Sequence, residues 1–334
     1  MKPMAVVVSV GACTAVGLGA RQTGFLLRAG AAGMALSPLL DRQGERVTMG
    51  LVPTLDPLLY GPARALELAT KALLEALTPL PEAARGVRAK LVIALDERSA
   101  QRREGGVVPA DVATRVLRRR ALPFLPELKA EALPRGPAGL GAHLPTLLDE
   151  LDQGAVDLVV LGGAHTDYDP ETIASLEDQG RLYTSANPNA VLPGEAAAFA
   201  VLARPDLAHR LALPARAQLL SLGAAHDAAR PDNDEPAFRA AGATVAVRKA
   251  LAPLAEKGHR VGWMLSDVNF ELYRLHEWQA LLVRTSEHWC EPCQLDAPSQ
   301  LAASAWRHGY APHDVALSLV GSETGERAAM VLTR

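Results

Sequence analysis

Cysteine is scarce in this chain: three residues in 334, an odd number that excludes a disulfide framework. That usage fits a reducing, cytoplasmic compartment. Charge of one sign is lacking too. The net charge is −3, with basic residues spread along the chain, so neither a nucleic-acid footprint nor a polybasic membrane patch is expected. The densest basic cluster, Arg118-Arg119-Arg120, falls in a helical-looking segment and reads as a solvated face. No run approaches the roughly eighteen uncharged apolar residues of a spanning helix. The opening "MKPMAVVVSVGACTAVG" lacks the long apolar region of a signal peptide. Low-complexity tracts and long linkers are also missing. What the chain does have is apolar residues, 49% of the total, enough for a sizeable core.

Strand and helix signals alternate. "MAVVVSVGA" is a Val-rich run ended by Gly11, as expected of a buried strand. "GPARALELATKALLEAL" (61–77) follows with helical spacing behind Pro62. "AKLVIALDE" (89–97) is a strand, Leu140 to Leu151 a helix, and "VDLVVLGG" (156–163) a strand stopped by two glycines. "GEAAAFAVLAR" (194–204) is a further apolar run. The pattern then restarts. Strands are expected at 217–225, 260–267 and 314–322, the last of the core, and helices at 242–258, 275–284 and 298–309. Alternation of this kind implies crossover connections and largely parallel sheets covered on both faces.

With Gly162-Gly163 and Pro193-Gly194-Glu195-Ala196 in place, the order of elements resembles the β-ketoacyl synthases of the thiolase fold, end to end. "VVVSVGACTAVGLGARQTGFLLRAG" is similar to that family's opening strand, glycine turn and "LLAG" helix. "DQGAVDLVVLGGAHTDYDPETIASLEDQGRL" resembles the segment after its nucleophile helix, and "LPGEAAAFAVLAR" its Gly-Glu-Gly-Ala stretch. The resemblance implies an α/β fold, a five-layered αβαβα sandwich of two similar halves. It divides the chain into 1–205 and 206–334, packed as one compact unit. It also implies a homodimer made through the strand beside the nucleophile. The family condenses acyl thioesters with a cysteine nucleophile, an oxyanion hole and two histidines.

The catalytic positions can be located by spacing, and none carries the family's group. The nucleophile lies twenty-five residues before the first glycine of the Gly-Gly turn, which here is Pro137; a slip of one or two gives Arg135, Gly136, Ala138 or Gly139. Proline has neither a nucleophile nor an N–H. The first histidine, eleven residues before a glutamate, becomes Ser266 ahead of Glu277, with Asp267-Val268-Asn269 after it. The second falls on Pro298 or Ser299, and the lysine before it on Cys293 or Gln294. The terminal Gly-Phe-Gly-Gly gate has become Gly321-Ser322-Glu323-Thr324-Gly325. The resemblance therefore implies no catalytic set, a relict pocket around Pro137, Ser266, Asp267, Asn269, Glu277 and Ser299, and scaffold roles for Gly162, Gly163 and Glu195. The chain is also short for the family, without its cap insertions.

Other candidates carry two readings each. "WCEPC" (289–293) copies the letters of a thioredoxin-type redox motif. A packed or incidental pair is favoured, because helical spacing resumes only near Pro298 and Glu287 and Glu291 would raise the thiol pKa. Zinc there would need His288 and His276 at irregular spacing. "GAHTDYDPE" places His165, Asp167, Asp169 and Glu171 two apart, either an acid-base or hard-metal cluster or, as favoured, a polar turn with Asp169-Pro170 opening a helix. Arg274 and Glu277 are either a buried ion pair or part of a ligand site. His143 reads as a satisfied core side chain.

The leading expectation is a ketosynthase-like pseudoenzyme acting as a binding or scaffold/adaptor protein, with no cofactor or metal. Its partner would be a second copy, another protein or an acyl carrier, and not nucleic acid or membrane. Related degenerate short forms are sometimes encoded among secretion-system effector genes. The rival is an acyl-ACP or acyl-CoA thioester transferase or hydrolase using Ser266, Asp267 and Asn269, which calls for a deep pocket with Ser266 at its base. A thiol-redox module using Cys290 is a third, weaker reading.

Overall fold

A computed structural model describes residues 2–100, 107–230, 239–258, 261–269, 271–286, 289–296 and 315–333. The chain opens with β1 (Ala5–Thr14), α1 (Ala20–Arg28) and a hairpin of β2 (Met34–Leu40) and β3 (Arg46–Gly50). Then follow α2 (Gly61–Leu77), β4 (Ala89–Leu95), α3 (Ala110–Ala121), β5 (Leu128–Pro134), α4 (Gly136–Asp152), β6 (Leu158–Thr166), α5 (Pro170–Asp178) and β7 (Glu195–Ala203). After a short α6 (Pro205–Arg210) come β8 (Ala217–His226), α7 (Ala241–Ala255), β9 (Val261–Ser266), α8 (Leu272–Arg284), β10 (Trp289–Asp296), β11 (Ala316–Gly321) and β12 (Glu326–Thr333).

The strand order repeats. It runs β5-β4-β6-β7-β1 and then, from the other edge, β10-β9-β11-β12-β8. The two sets join where β1 pairs antiparallel with β8, from Ala5–Leu219 to Val7–Ala217. Each set contains parallel neighbours (β4 with β5 and β6; β9 with β10 and β11) and antiparallel ones (β6–β7, β7–β1; β11–β12, β12–β8). The sheets are therefore mixed, not largely parallel. An apolar run such as 195–203 reports cover on both faces and says nothing of strand direction. The last strand is β12, not β11; Glu326 and Arg327 at its start hid it. The helix expected at 298–309 lies outside the described residues.

Side-chain alternation builds five layers. On β4, Leu91 and Ile93 point outward to α2 and α3, joining Leu68, Leu73 and Leu117 in one core. Val92 points inward, where α4 supplies Leu144, Leu147, Leu148 and Leu151. Leu219 of β8, with Leu222 and Met330, closes on α4 from the second set. Beyond it, α7 and α8 cover the far face through Val247, Leu251 and Leu281. Helices, sheet, α4, sheet, helices is the order. Each fully buried leucine of α4 contributes about 1.5–3 kcal/mol.

The repeat reaches single residues. Ser9-Val10-Gly11-Ala12 on β1 matches Ser221-Leu222-Gly223-Ala224 on β8. A Cβ on Gly11 would run into the carbonyl oxygen of Ala72 on α2, and one on Gly223 into that of Ala246 on α7. Glycine is needed at both because each covering helix crosses its first strand at backbone contact. Gly11→Ala and Gly223→Ala should each cost at least about 1–3 kcal/mol, read from urea unfolding midpoints. The two losses should be similar.

Candidate functional site

β5 runs into α4 through Arg135 and Gly136. Gly136 sits at φ +67°, and a Cβ there would collide with the Glu97 carboxylate and lie 2.6 Å from the Ser322 hydroxyl oxygen. Pro137 follows in the first helical turn, its side chain exposed. The next backbone donor, the N–H of Ala138, is already used: it donates to Oγ of Ser322 at 2.9 Å. The Ser322 hydroxyl in turn donates to the carbonyl of Arg135 at 2.9 Å. An ion pair between Arg135 and Glu326 lies beside it. Ser322 belongs to the β11–β12 turn, so the chain's far end caps the helix whose N-terminus could otherwise stabilise an anion. Burial pushes the Glu97 carboxyl up from its ordinary value.

Two of the other positions, Asp267 and Glu277, join the same network. Ser266 ends β9, buried, its Oγ accepting from the N–H of Val268 at 3.3 Å. Asp267 accepts from the N–H of Gly321 at 2.6 Å and pairs with Arg274, which also pairs with Glu277. Glu277 takes Nε of Arg327 at 2.7 Å. Arg327 donates onward to the carbonyls of Ser322 and Glu326, each at 2.9 Å, and to the Tyr273 hydroxyl at 2.9 Å. Pro137's helix, Asp267 and Glu277 are thus linked by one chain of hydrogen bonds through Ser322 and Arg327. Asn269 belongs to a neighbouring group: it donates to Glu271, which holds Arg181 at 2.8 Å, and Arg181 reaches Glu323 at 2.7 Å. Ser299 lies outside the described residues.

Asp267, Glu277 and Arg274 hold one another in this arrangement. Burial alone would lower the Arg274 pKa, but Asp267 and Glu277 outweigh it and hold the guanidinium protonated. A guanidinium cannot serve as a base, and Asp267 and Glu277 are committed to it. Glu97, whose buried Oε1 has no hydrogen-bond partner among the described residues, stands outside that pairing. The sequence reading placed Asp267 and Glu277 here but missed Arg327 and the capping role of Ser322. The available signal was an arginine beside the run "AAMVL", where a charge is buried only if paired.

The remaining candidates are structural in their contacts. A Cβ on Gly162 would strike the Ala198 carbonyl, and one on Gly163 the Ala94 carbonyl. Glu195 is fully buried against Arg64, 2.5 Å from its Nε. Asp169 caps α5 by accepting from the N–H of Thr172 at 3.0 Å. His143 contacts Glu131 at 3.1 Å. Cys290 and Cys293 lie on β10, a strand. Among the described residues, no group of three or more His, Cys, Asp or Glu could hold a metal ion, and no helix is long and apolar enough to cross a membrane.

His165 does more than turn the chain. Its Nε2 lies 2.8 Å from Asp167, and its Nδ1 faces Asp96 at 3.9 Å. The Asp167 charge lifts the half-exposed imidazole from its ordinary 6.5 to about 9. Burial pushes the Asp167 carboxyl up, but His165 and the Gly194 N–H draw it below its usual value. Since the folded chain holds the His165 proton more tightly and the Asp167 proton less tightly, this pair's stabilisation is complete between the ordinary values of 3.8 and 6.5, fades as pH rises through about 9, and is lost in acid as Asp167 protonates. An NMR titration should find His165 protonated at pH 7.5. His165→Gln should remove the alkaline part of the stability profile.

No protein-family model matches the chain, and no curated protein sequence matches it. Solved structures do. The ishigamide ketosynthase/chain length factor superposes with a TM-score of 0.78 at 19% identity, covering 100% of this chain and 99% of that one. The module 6 ketosynthase of the bacillaene synthase from Bacillus subtilis 168 gives 0.76 at 12% identity, covering 98% and 71%. A Xenorhabdus doucetiae ketosynthase, solved in complex with its chain length factor, gives 0.71 at 18%, covering 99% and 98%. At such identities the likeness speaks for architecture, and the repeated strand order around a central α4 agrees with it. The chain has the thiolase-like αβαβα fold of ketosynthases and chain length factors.

Proposed function

We propose that this chain is a ketosynthase-like scaffold or binding protein that does not condense acyl thioesters. One observation supports the reading: the hydrogen-bonded chain Ala138–Ser322–Arg327–Glu277–Arg274–Asp267 runs through positions that the resemblance aligns with a nucleophile and a base. Every strong acceptor along it is matched to a donor within the chain. The division into 1–205 and 206–334 is part of the same reading, supported by the repeated strand order. The partner we assign is another protein. Support comes from the neighbours, one solved with its chain length factor and another with its acyl-carrier protein.

Intact-protein mass spectrometry after incubation with an acyl thioester tests this. No acyl adduct is expected on the wild-type chain. A stoichiometric adduct at Ser266 would establish the transferase or hydrolase reading instead.

A further inference from the structure

β10 lies at the opposite end of the strand order from β5, and among the described residues no strand pairs along its outer side. Its register with β9 is broken. Trp289 pairs with Val261 and Gln294 with Trp263, after which Leu295 and Asp296 follow Met264 and Leu265 in step. Cys290, Glu291, Pro292 and Cys293 therefore stand opposite the single residue Gly262. Val261 and Trp263 are about 6.6 Å apart at the rise of a parallel strand, whereas an extended chain from Trp289 to Gln294 would cover about 16.5 Å. The four residues must leave the line of the strand and return to it. Pro292 fits such an excursion, having no N–H to give a ladder. β9 loses nothing by it, because the Gly262 N–H donates to the Val315 carbonyl, just ahead of β11, at 3.1 Å.

In a regular strand, positions three apart lie about 10 Å from each other and on opposite faces, too far for a disulfide. An excursion that returns to its starting line brings its first and last residues back toward each other, and a disulfide needs Cα atoms about 4.4–6.8 Å apart. We propose that Cys290 and Cys293 are a reversible oxidation site, closing a disulfide within this excursion by exchange with small-molecule disulfides. One thiolate attacks a sulfur of the small disulfide, and the thiolate it expels takes up a proton. The second protein thiol then gives up its proton and attacks the mixed disulfide, releasing the other small thiol. Two protein thiols are oxidised and one small disulfide is reduced to two thiols. Glu291, between the cysteines, disfavours the thiolate that an oxidoreductase needs, so the pair is a site of modification and not a redox catalyst. The third cysteine, Cys13, is buried in the core and takes no part. The site is independent of the reading that the chain does not condense thioesters.

The test equilibrates the full wild-type chain in glutathione buffers of increasing oxidised-to-reduced ratio, quenches it in acid, alkylates the remaining thiols and maps the peptides by mass spectrometry. A Cys290–Cys293 link should form without net uptake of glutathione, reverse with dithiothreitol and leave Cys13 reduced. The equilibrium should favour the link more in the native chain than in the same chain unfolded in urea, by about tenfold, since the native backbone already holds the turn. A regular strand would give the reverse order. Closure in the native chain no better than in the unfolded one, a glutathione adduct that does not go on to close, or a link between two chains would overturn the proposal.

Discussion

Arg327→Met should destabilise the chain by about 3–5 kcal/mol, one of the two largest single-residue losses expected in this protein. The side chain is 1% exposed and makes its bonds to Glu277, Tyr273 and the Ser322 and Glu326 carbonyls inside the second set of strands. Methionine fills the volume but leaves Glu277, 4% exposed, with Arg274 as its remaining partner and two carbonyls without this donor. The penalty comes from desolvation of what is left behind, more than from the bond that is lost. Glu277→Gln in the same chain should therefore recover part of the loss. That non-additivity, measured by urea unfolding of the four combinations, is the signature of the pair. Simple additivity would place Arg327 and Glu277 in separate environments and break the network at its centre.

The second large effect is expected at Arg64. Its guanidinium meets Glu195 at 2.5 and 2.7 Å, donates to the carbonyls of Asp56 and Val52, and lies 4.3 Å from the centre of the Tyr168 ring. Glu195 also accepts from the Val52 N–H at 2.7 Å and the Thr166 hydroxyl at 2.9 Å. The pair thus ties α2 to β6, β7 and the chain after β3. Arg64→Met should cost about 3–5 kcal/mol, and the segment around Val52 should lose hydrogen-exchange protection before the sheet does. If protection falls uniformly instead, the pair is not the local tie described here.

Much of the fold was legible because burial leaves a periodic trace. The apolar runs of β1, β4 and β6 and the helical spacing of α2 stand out, but the two glycines expected to stop a strand lie inside β6, which runs on to Thr166, where they let the backbones of β4 and β7 come close. Glu195 was singled out by the family resemblance alone; its buried partner Arg64, 131 residues away, was not. Strand direction was not legible, which is why the mixed sheet was expected to be largely parallel. β12 was hidden because its first residues, Glu326 and Arg327, are charged and their neutralising partners are distant in sequence. The hairpin of β2 and β3 escaped notice for a different reason. Met34, Leu36 and Leu40 face solvent while Leu39 is buried, so apolar residues fall on both faces of β2, and β3 buries Val47 and Met49 over only five residues.

Of the candidate site, spacing within the resemblance picked out Asp267 and Glu277, which do meet through Arg274. What fills the space depends on contacts across 184 residues, as between Ala138 and Ser322, and no local pattern encodes those.

Release of labelled carbon dioxide from a malonyl thioester bears most directly on the loss of condensing chemistry, because the decarboxylation half-reaction needs only the bases. The wild-type chain, with or without an acyl donor, should release no more than buffer does. Turnover that persists in the Cys290→Ser/Cys293→Ser chain and vanishes on changing Asp267 or Glu277 would contradict the account, since it would make the buried ion pairs a working site.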